Sequence, residues 1–512
     1  MTGGESLLRT LVAGGIDTCF MNPGTSEMHF VAALERVPGL RGVLCLYEGV
    51  CSGAADGYAR ASGRPAATLL HLGPGLANGL SNFHNARKAR SPVVSIVGEH
   101  ATAHLKVEAP LTSDIQAFAR TVSRHVRTVT SADDVGPAAA ETIAAAWGPP
   151  GEVAMLIVPA NFSWSDTLVP GAPAPRQFPR LPARDALEGA ARLLRVPGTA
   201  ILLGGQSVNA RGLDAAGRIS AATGTRIFIA RNVAKIAAGR ACFTAPQVPY
   251  FPEAAIPFLA EIKNLILVES ERPVSFFAYP GTPSYMTADD TSHFTLAARG
   301  EDGVTALEIL AYGLPGATLP QVQIPQAPLG DVALTLDHIG LTLAALLPEN
   351  ALISDEMVSS AGKVLAHLRT AAFHEFMPVA GGSIGQGLPL ATGAAIACPD
   401  RKVIALEGDG SGMYTLQSLW TMAREKLDII TVIFANRRYR ILDIEMQRTG
   451  ARGFGPQAEN MLDIGNPDLD WAGISQGLGV PATRATTARQ FTEQFQDAMK
   501  RAGPHLIEAL LV

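Results

Sequence analysis

The sequence lacks the features that mark disulfide-rich, membrane-spanning and nucleic-acid-binding proteins. Its five cysteines show no CxxC spacing, which favours reduced thiols over a disulfide framework or a zinc site. No apolar run approaches the roughly 18 residues of a transmembrane helix, and the N-terminus has no signal-peptide pattern. The net charge is −5 without a basic run, so nucleic acid and anionic membranes are poor candidate partners. We therefore expect a soluble, cytoplasmic protein that acts on a small molecule.

The sequence does contain short apolar runs that alternate with helical patterns, which is typical of βα units on parallel sheets. A chain of 512 residues is long enough for about three domains. Two proline-rich stretches, 168–182 and 319–328, separate three such regions. We predict an α/β fold with three doubly wound parallel-sheet domains, over residues 1–167, 183–318 and 331–512.

A glycine loop formed by Gly408, Asp409 and Gly410 follows a predicted strand at 403–406. We expect a helix after it, whose free N–H groups near Ser411 favour a phosphate group. The competing interpretation is an ordinary turn in which Asp409 caps the helix.

A magnesium site is predicted beside this loop. Asn436 follows the next predicted strand, 429–434, so Asp409 and Asn436 would offer hard oxygens at neighbouring strand ends. The backbone carbonyl of Arg438 is a candidate third ligand. Diphosphate oxygens and water would complete the six ligands that Mg²⁺ prefers.

A second carboxylate, Glu48, follows the apolar run 43–46 and opens a helix of small residues. We expect Leu46, Val50 and Cys51 to desolvate Glu48, a setting in which a carboxyl shares a proton with a nitrogen base. The alternative is a helix N-terminal charge without a chemical role.

These features resemble the thiamine-diphosphate-dependent decarboxylase and acetolactate synthase superfamily. The resemblance runs almost end to end, and its motifs are Glu48 with ADGYAR at 55–60, GPG at 73–75, GSIGQGLP at 382–389, and the 408–410 loop with Asn436. It implies a pyrimidine-binding domain, a cofactor-free middle domain and a diphosphate-binding domain. It also implies thiamine diphosphate and Mg²⁺ as cofactors, and a homodimer or homotetramer in which one cofactor touches two chains.

The resemblance also assigns roles to individual residues. Glu48 would hydrogen-bond the pyrimidine ring of the cofactor, and Gly382 would offer a backbone carbonyl to its amino group. Ile384, twenty-four residues before Gly408, would be the aliphatic side chain that bends the cofactor. The alternative for Ile384 is ordinary core packing.

Within the superfamily the chain resembles benzoylformate decarboxylases. His71, twenty-three residues after Glu48, matches an active-site histidine of those enzymes, and Thr25 matches a substrate-contacting serine. A histidine there could exchange protons with the reacting substrate. The alternatives are a hydrogen-bonded loop histidine and a helix-capping threonine.

Departures from that subfamily limit the inference. Those enzymes bring a second histidine from the middle domain, where this chain has aromatic residues at 273–280, including Phe277. His100 and His104 are candidate replacements, with surface loop positions as the alternative, and Leu442 is a candidate pocket residue after Asn436. Acetolactate synthases carry a tryptophan shortly after the magnesium asparagine and a longer middle domain that holds FAD. This chain has no tryptophan at 439–445 and only a short middle region, so we do not expect FAD here.

The sequence therefore predicts a thiamine-diphosphate- and Mg²⁺-dependent enzyme that acts on a 2-oxo acid. A decarboxylase with carboligase side activity is the first choice. The alternatives are acetolactate synthase-type transfer to a second 2-oxo acid, and a catalytically inactive regulatory paralogue.

Overall fold

The computed structural model describes residues 1–168, 170–316, 319, 322–452 and 454–511. Within these residues the chain forms three sheets in which nearly all pairs of neighbouring strands are parallel. The predicted α/β class with three parallel-sheet domains is confirmed. No helix in the described part of the chain is both long and apolar enough to cross a bilayer.

The first sheet has six parallel strands in the order β2-β1-β3-β4-β6-β5. They are β1 (Thr18–Asn22), β2 (Arg41–Leu44), β3 (Ala66–Leu70), β4 (Val93–Glu99), β5 (His125–Thr128) and β6 (Val153–Pro159). The helices are α1 (Gly3–Ala13), α2 (Met28–Ala33), α3 (Glu48–Ser62), α4 (Leu72–Ala89), α5 (Ile115–Val122), α6 (Val135–Trp147) and α7 (Ala160–Trp164). The strand predicted at 43–46 instead lies at 41–44, because its parallel pairing with β1 ends at Leu44 although the apolar run continues.

The middle sheet has four parallel strands in the order β11-β10-β7-β8. The strands of this region, including β9, which joins another sheet, are β7 (Thr199–Leu203), β8 (Arg226–Ile229), β9 (Ile236–Ala238), β10 (Asn264–Val268) and β11 (Ser292–Ala297). The helices are α8 (Arg184–Leu193), α9 (Ala210–Thr223), α10 (Pro252–Leu259) and α11 (Gly303–Leu310).

The third sheet has seven strands in the order β16-β17-β15-β14-β12-β13-β9, and β9 pairs antiparallel with β13 at its edge. The remaining strands are β12 (Ala351–Glu356), β13 (His374–Pro378), β14 (Val403–Gly408), β15 (Ile429–Ala435), β16 (Ala482–Ala485) and β17 (His505–Leu510). The helices are α12 (Leu336–Leu346), α13 (Ala361–Leu368), α14 (Gly387–Ala397), α15 (Asp409–Gly412), α16 (Ser418–Arg424), α17 (Arg440–Arg448), α18 (Pro456–Asn460), α19 (Trp471–Gly477) and α20 (Ala488–Met499). The single helix expected after the glycine loop is thus split into α15 and α16.

The predicted domain boundaries stay a prediction. The end of the middle domain at Thr318 and the chain end at Val512 lie outside the described residues, as does Val169 in the first predicted linker. The described part of that linker forms one isolated bridge, which joins Arg180 to Glu301.

Helices α3 and α14 join the first and third sheets through close backbone contact. A Cβ on Gly57 would lie 2.0 Å from the carbonyl oxygen of Leu390, and a Cβ on Gly393 would lie 1.8 Å from that of Ala54. Only glycine permits this approach. The two sheets therefore share one continuous apolar core.

A buried polar cluster fixes the same contact. The Asp56 carboxylate accepts hydrogen bonds from Arg60 at 2.6 and 2.8 Å and from the Gln386 amide at 2.5 Å. Since the Arg60 and Asp56 side chains are fully buried and paired, losing either one would strand a charge in the core.

The carboxyl ends of the strands define where a site can form. Connections leave in opposite directions from β1 and β3 in the first sheet and from β12 and β14 in the third. Such switch points open a crevice at the carboxyl edge of an α/β sheet.

Candidate active site

Four predicted residues follow four neighbouring strands of the first sheet. Thr25, Glu48, His71 and His100 come after β1, β2, β3 and β4, respectively. Thr25 is exposed at the start of a 3-10 turn, whereas the other three are half-buried. The fold thus brings these side chains to one sheet edge.

Glu48 begins helix α3 with one carboxylate oxygen bound and the other facing a glycine. Its Oε2 accepts a hydrogen bond from the Asn78 amide at 3.0 Å. A Cβ built on Gly75 would lie 3.2 Å from Glu48 Oε1 and 3.6 Å from His71 Cβ, so Gly75 separates the two side chains. Glu48 Oε1 is therefore the oxygen directed at the space beside His71.

The surroundings expected to desolvate Glu48 are present on one side only. Val50 and Cys51 are fully buried, whereas the Leu46 side chain is 46% exposed. Leu46 is therefore not part of a buried environment around Glu48 in a single chain.

His71 contacts a carboxylate that the sequence interpretation missed. Its Nδ1 lies 2.8 Å from Oε2 of Glu27, which is buried. Burial raises the pKa of Glu27, while the Gly24 N–H and His71 oppose that rise. A Glu two residues after Thr25 was the only sequence signal, and it does not reveal a partner 44 positions away.

The two further histidine candidates lie close to each other. The rings of His100 and His104 have centroids 5.3 Å apart in an edge-to-face arrangement. His104 is exposed, whereas Nε2 of His100 is buried and forms no hydrogen bond within the described residues. The predicted contact of His100 or His104 with a substrate stays a prediction.

Asp409 stands at the switch point of the third sheet and is almost fully buried. Its Oδ1 accepts a hydrogen bond from Gly410 N at 2.9 Å, and its Oδ2 accepts one from Arg437 N at 2.6 Å. Burial raises the pKa of Asp409, and these backbone N–H groups oppose the rise. Each carboxylate oxygen keeps a further lone pair for another ligand.

Asn436 lies beside the Asp409 carboxylate because it directly follows β15, which neighbours β14. Its Oδ1 accepts a hydrogen bond from Arg438 N at 2.9 Å. The Arg438 carbonyl, the predicted third ligand, accepts one from Arg440 N at 2.8 Å and retains a second lone pair. The Arg438 guanidinium donates a hydrogen bond from Nε to Oδ2 of Asp443 at 2.6 Å.

Beneath the glycine loop lies a buried carboxyl pair that the sequence interpretation also missed. Glu356 accepts backbone hydrogen bonds from Gly385 N at 2.8 Å and Gly387 N at 2.6 Å. Burial raises the pKa of Glu356 to about 7. Burial and the neighbouring Glu356 raise the pKa of Glu407 well above its usual range. The pair ties the 385–387 segment to strands β12 and β14.

Ser411 is part of this buried arrangement. Its hydroxyl donates to Glu407 Oε1 at 2.5 Å. The side chain is therefore occupied within the protein, and its predicted cofactor contact would have to come from its backbone. The signal for the carboxyl pair was Glu407 itself, a charged residue at the end of an apolar strand.

Gly382 and Ile384 lie in a segment held by the first sheet's helix α4. The Asn85 side chain donates to the Ser383 carbonyl at 2.8 Å and accepts from Ser383 N at 3.2 Å. Gly382 is exposed with φ of 79°, and Ile384 is half-buried. Their predicted cofactor contacts stay predictions.

The aromatic loop of the middle region reaches this segment. A Cβ on Gly382 would lie 2.2 Å from Cζ of Phe276, and the Phe277 ring packs edge-on against Phe276 with centroids 5.0 Å apart. Phe276 is thus the ring in contact with Gly382, while the predicted pocket role of Phe277 stays a prediction. The sequence pattern contains no signal that separates these neighbouring loop residues, so the contact of Phe276 was missed.

The same loop is linked to helix α17, which carries Leu442. The Tyr279 hydroxyl lies 2.9 Å from Glu445 Oε2, to which it donates, and Arg448 stacks over the Tyr279 ring. Leu442 itself is 43% exposed. The loop and the helix therefore form one wall near the glycine segment.

The donor groups at the third-sheet edge suit magnesium diphosphate chemically. One carboxylate, one amide oxygen and one carbonyl are hard oxygen donors, and Mg²⁺ usually takes only one or two carboxylates plus phosphate oxygens. No group of three or more His, Cys, Asp or Glu side chains that could hold a metal ion occurs within the described ranges.

Comparison with known proteins identifies the family. The N-terminal thiamine pyrophosphate-binding domain of thiamine pyrophosphate enzymes matches residues 1–126, and the corresponding C-terminal domain matches residues 359–509. A Mycobacterium tuberculosis protein described as a candidate acetolactate synthase large subunit, IlvX, is 46% identical over 100% of this chain and 99% of its own. Benzoylformate decarboxylase of Pseudomonas aeruginosa is 30% identical over 96% of each chain. The chain therefore belongs to the thiamine-diphosphate-dependent enzyme family of decarboxylases and acetolactate synthases.

Solved structures show the same fold over the full chain. The Rhodococcus jostii 4-hydroxybenzoylformate decarboxylase superposes with a TM-score of 0.86 at 23% identity, covering 100% of this chain and 99% of its own. Benzoylformate decarboxylase from Polynucleobacter necessarius gives 0.82 at 19% identity, covering 100% and 98%. At these identities the likeness supports the fold alone.

Proposed function

We propose that the protein is a thiamine-diphosphate- and Mg²⁺-dependent 2-oxo acid decarboxylase with carboligase side activity. The observation that carries the proposal is the pairing of His71 with buried Glu27, next to Glu48 across Gly75. Release of CO₂ and of an aldehyde requires protons to be delivered near the reacting carbon, and a histidine held by a carboxylate is suited to that task.

In this proposal each sheet edge has its own task. Thiamine diphosphate supplies the electron sink when bound. Asp409, Asn436 and the Arg438 carbonyl hold Mg²⁺ and, through it, the diphosphate. Gly382 and Ile384 orient the remainder of the cofactor, while Glu48 holds a proton at Oε1 for the pyrimidine ring.

A second candidate is acetolactate synthase-type transfer to another 2-oxo acid. It is favoured by the 46% identity to the Mycobacterium tuberculosis protein that is described as a candidate acetolactate synthase large subunit. Purified protein with Mg²⁺ and cofactor should be incubated with pyruvate, branched-chain 2-oxo acids and benzoylformate. Free aldehyde as the main product supports the decarboxylase, whereas acetolactate from pyruvate supports the synthase. Cofactor binding without turnover of any acid would favour an inactive regulatory paralogue.

The proposed cofactor site spans two chains of a homodimer, with a tetramer as the larger assembly. Large apolar side chains are exposed at both halves of the site, with Leu46 at 46% in the first sheet and Tyr414 at 53% in the third. A partner chain that covers them would complete the surroundings of Glu48. A cyclic dimer then holds two equivalent sites.

Mixing of inactive variants tests this assembly. A Glu48→Gln chain mixed with an Asp409→Ala chain should regain about a quarter of wild-type activity, because half of the random dimers hold one intact site. The matched control mixes Glu48→Gln with His71→Ala. Both substitutions lie in the first domain, so every cross-chain site then contains one of them. Equal inactivity of both mixtures, with subunit exchange shown by mass spectrometry, would reject the shared site.

A further inference from the structure

A buried carboxylate lies directly behind the His71 ring. The Glu27 side chain is 2% exposed, whereas the His71 side chain is 24% exposed. Glu27 Oε2 lies 2.8 Å from His71 Nδ1 and also accepts a hydrogen bond from Gly24 N at 2.8 Å. The other oxygen, Oε1, is buried and makes no hydrogen bond to any described residue.

Two glycines make the approach of ring and carboxylate possible. A Cβ on Gly24 would lie 2.3 Å from Cγ of His71, and a Cβ on Gly98 would lie 1.6 Å from Glu27 Oε1. Side chains at either position would push the pair apart. The segments that follow β1 and β3, together with the end of β4, thus enclose one carboxylate and one imidazole.

We infer that Glu27 is a positioning residue that holds His71 in the tautomer with the proton on Nδ1. This inference rests on the proposed function of His71 in proton transfer. With Nδ1–H donated to Glu27 Oε2, the Nε2 atom carries the lone pair and is left for the cleft. Nε2 can then take a proton from a substrate hydroxyl and return the same proton to a reacting carbon, while the Nδ1 proton stays in place.

Two further carboxylates lie near the pair. Glu48 lies across Gly75 from His71, and Glu99 follows Gly98 at the end of β4. The Glu99 carboxylate accepts a hydrogen bond from His100 N at 2.7 Å rather than from His71. Glu99 is therefore a neighbouring carboxylate that can serve as a control.

The first test measures His71 without requiring turnover. Exchange of the imidazole C2 hydrogen, followed by mass spectrometry across pH, reports the protonation of each histidine. In Glu27→Gln the amide oxygen can keep both hydrogen bonds, but the negative charge is lost, so the His71 midpoint should fall by about one pH unit. Glu27→Asp should restore part of the shift, and Glu99→Gln should leave the profile unchanged. An unchanged His71 midpoint in folded Glu27→Gln protein would overturn the inference.

The second test uses turnover. Glu27→Gln should lower kcat by roughly tenfold to 10²-fold with little change in KM, and it should add no further loss to His71→Ala, because both act through one ring. Additive losses would overturn the inference. Near-wild-type turnover of His71→Ala would instead remove His71 from the proposed function, while the exchange midpoint would still decide whether Glu27 holds the ring.

Discussion

The carboxyl edges of the first and third sheets are built from similar strand and helix units but present different chemistry. At the first edge, side chains meet side chains: Glu27 with His71, and Asn78 with Glu48. At the third edge, Asp409 and Asn436 are held by backbone N–H groups at 437 and 438. In the proposed function the first edge moves protons, whereas the third holds oxygen donors in place.

The middle sheet offers a third edge for comparison. Its switch point lies between β7 and β10, where Glu269 Oε2 accepts a hydrogen bond from Gln206 N at 2.9 Å. A Cβ on Gly205 would lie 2.2 Å from the same oxygen. The position where an anion would meet backbone N–H groups is therefore filled by the protein's own carboxylate.

The largest effect is expected at the third edge. Asp409→Ala removes a charged oxygen from a site that has few donors, so affinity for Mg²⁺ and thiamine diphosphate should fall together by about 10³-fold. Calorimetric titration of both ligands measures this. Asp468→Ala is the matched control, because Asp468 pairs with the Arg437 guanidinium at 3.0 Å but is not a predicted ligand. Normal magnesium dependence in Asp409→Ala would reduce Asp409 to an acidic residue in the first turn of helix α15.

The opposite pattern is expected at the first edge. Glu48→Gln should leave cofactor affinity nearly unchanged yet lower kcat by about 10²-fold or more, because an amide cannot exchange the required proton. Steady-state rates and the same titration separate the two quantities. Asn78→Ala keeps the carboxylate but removes the hydrogen bond to Oε2, so its loss should be smaller. Wild-type turnover of Glu48→Gln would erase the distinction between the edges.

The sequence predicted local features of both edges well and long-range ones poorly. Helix α3 begins at Glu48, as the change from an apolar run to small residues indicated, and the strand predicted at 403–406 forms the first part of β14, which continues to Gly408. Each of these depends on a few adjacent residues. The contact between Glu27 and His71 instead depends on space left by Gly24 and Gly98, which no local pattern reveals.

Glu269, which fills the carboxyl edge of the middle sheet, should make the stability of the protein depend on pH. Burial is the main cause that raises the pKa of Glu269 to about 7, with Asp302 adding to it and the Gln206 N–H opposing it. The native state then holds a proton that the unfolded state releases near its ordinary pKa of about 4.3. Stability should therefore fall as pH rises from about 4.5 to 7, by about 2 kcal/mol from this group.

Glu269→Gln isolates that contribution. The amide oxygen can still accept from Gln206 N, but no proton is released, so the variant should match the wild type near pH 4.5 and be more stable at pH 8. Denaturant melts at several pH values measure the difference. Parallel curves for the two proteins would mean that Glu269 does not titrate in this window.

The smallest effect concerns the wall between the two edges. Phe277 packs against Phe276, whose ring contacts Gly382, and Leu442 lies on helix α17, which Tyr279 joins to the same loop. Phe277→Ala and Leu442→Ala should therefore shift the ratio of kcat/KM between aromatic and short aliphatic 2-oxo acids by roughly tenfold, the value of one to two methylene-sized contacts. Cofactor affinity should not change, since neither side chain belongs to the predicted ligand set. Exposed Tyr312 on the middle region provides the control substitution, Tyr312→Ala. If both pocket variants kept the wild-type ratio, this wall would not contact the substrate, and specificity would have to come from the first edge.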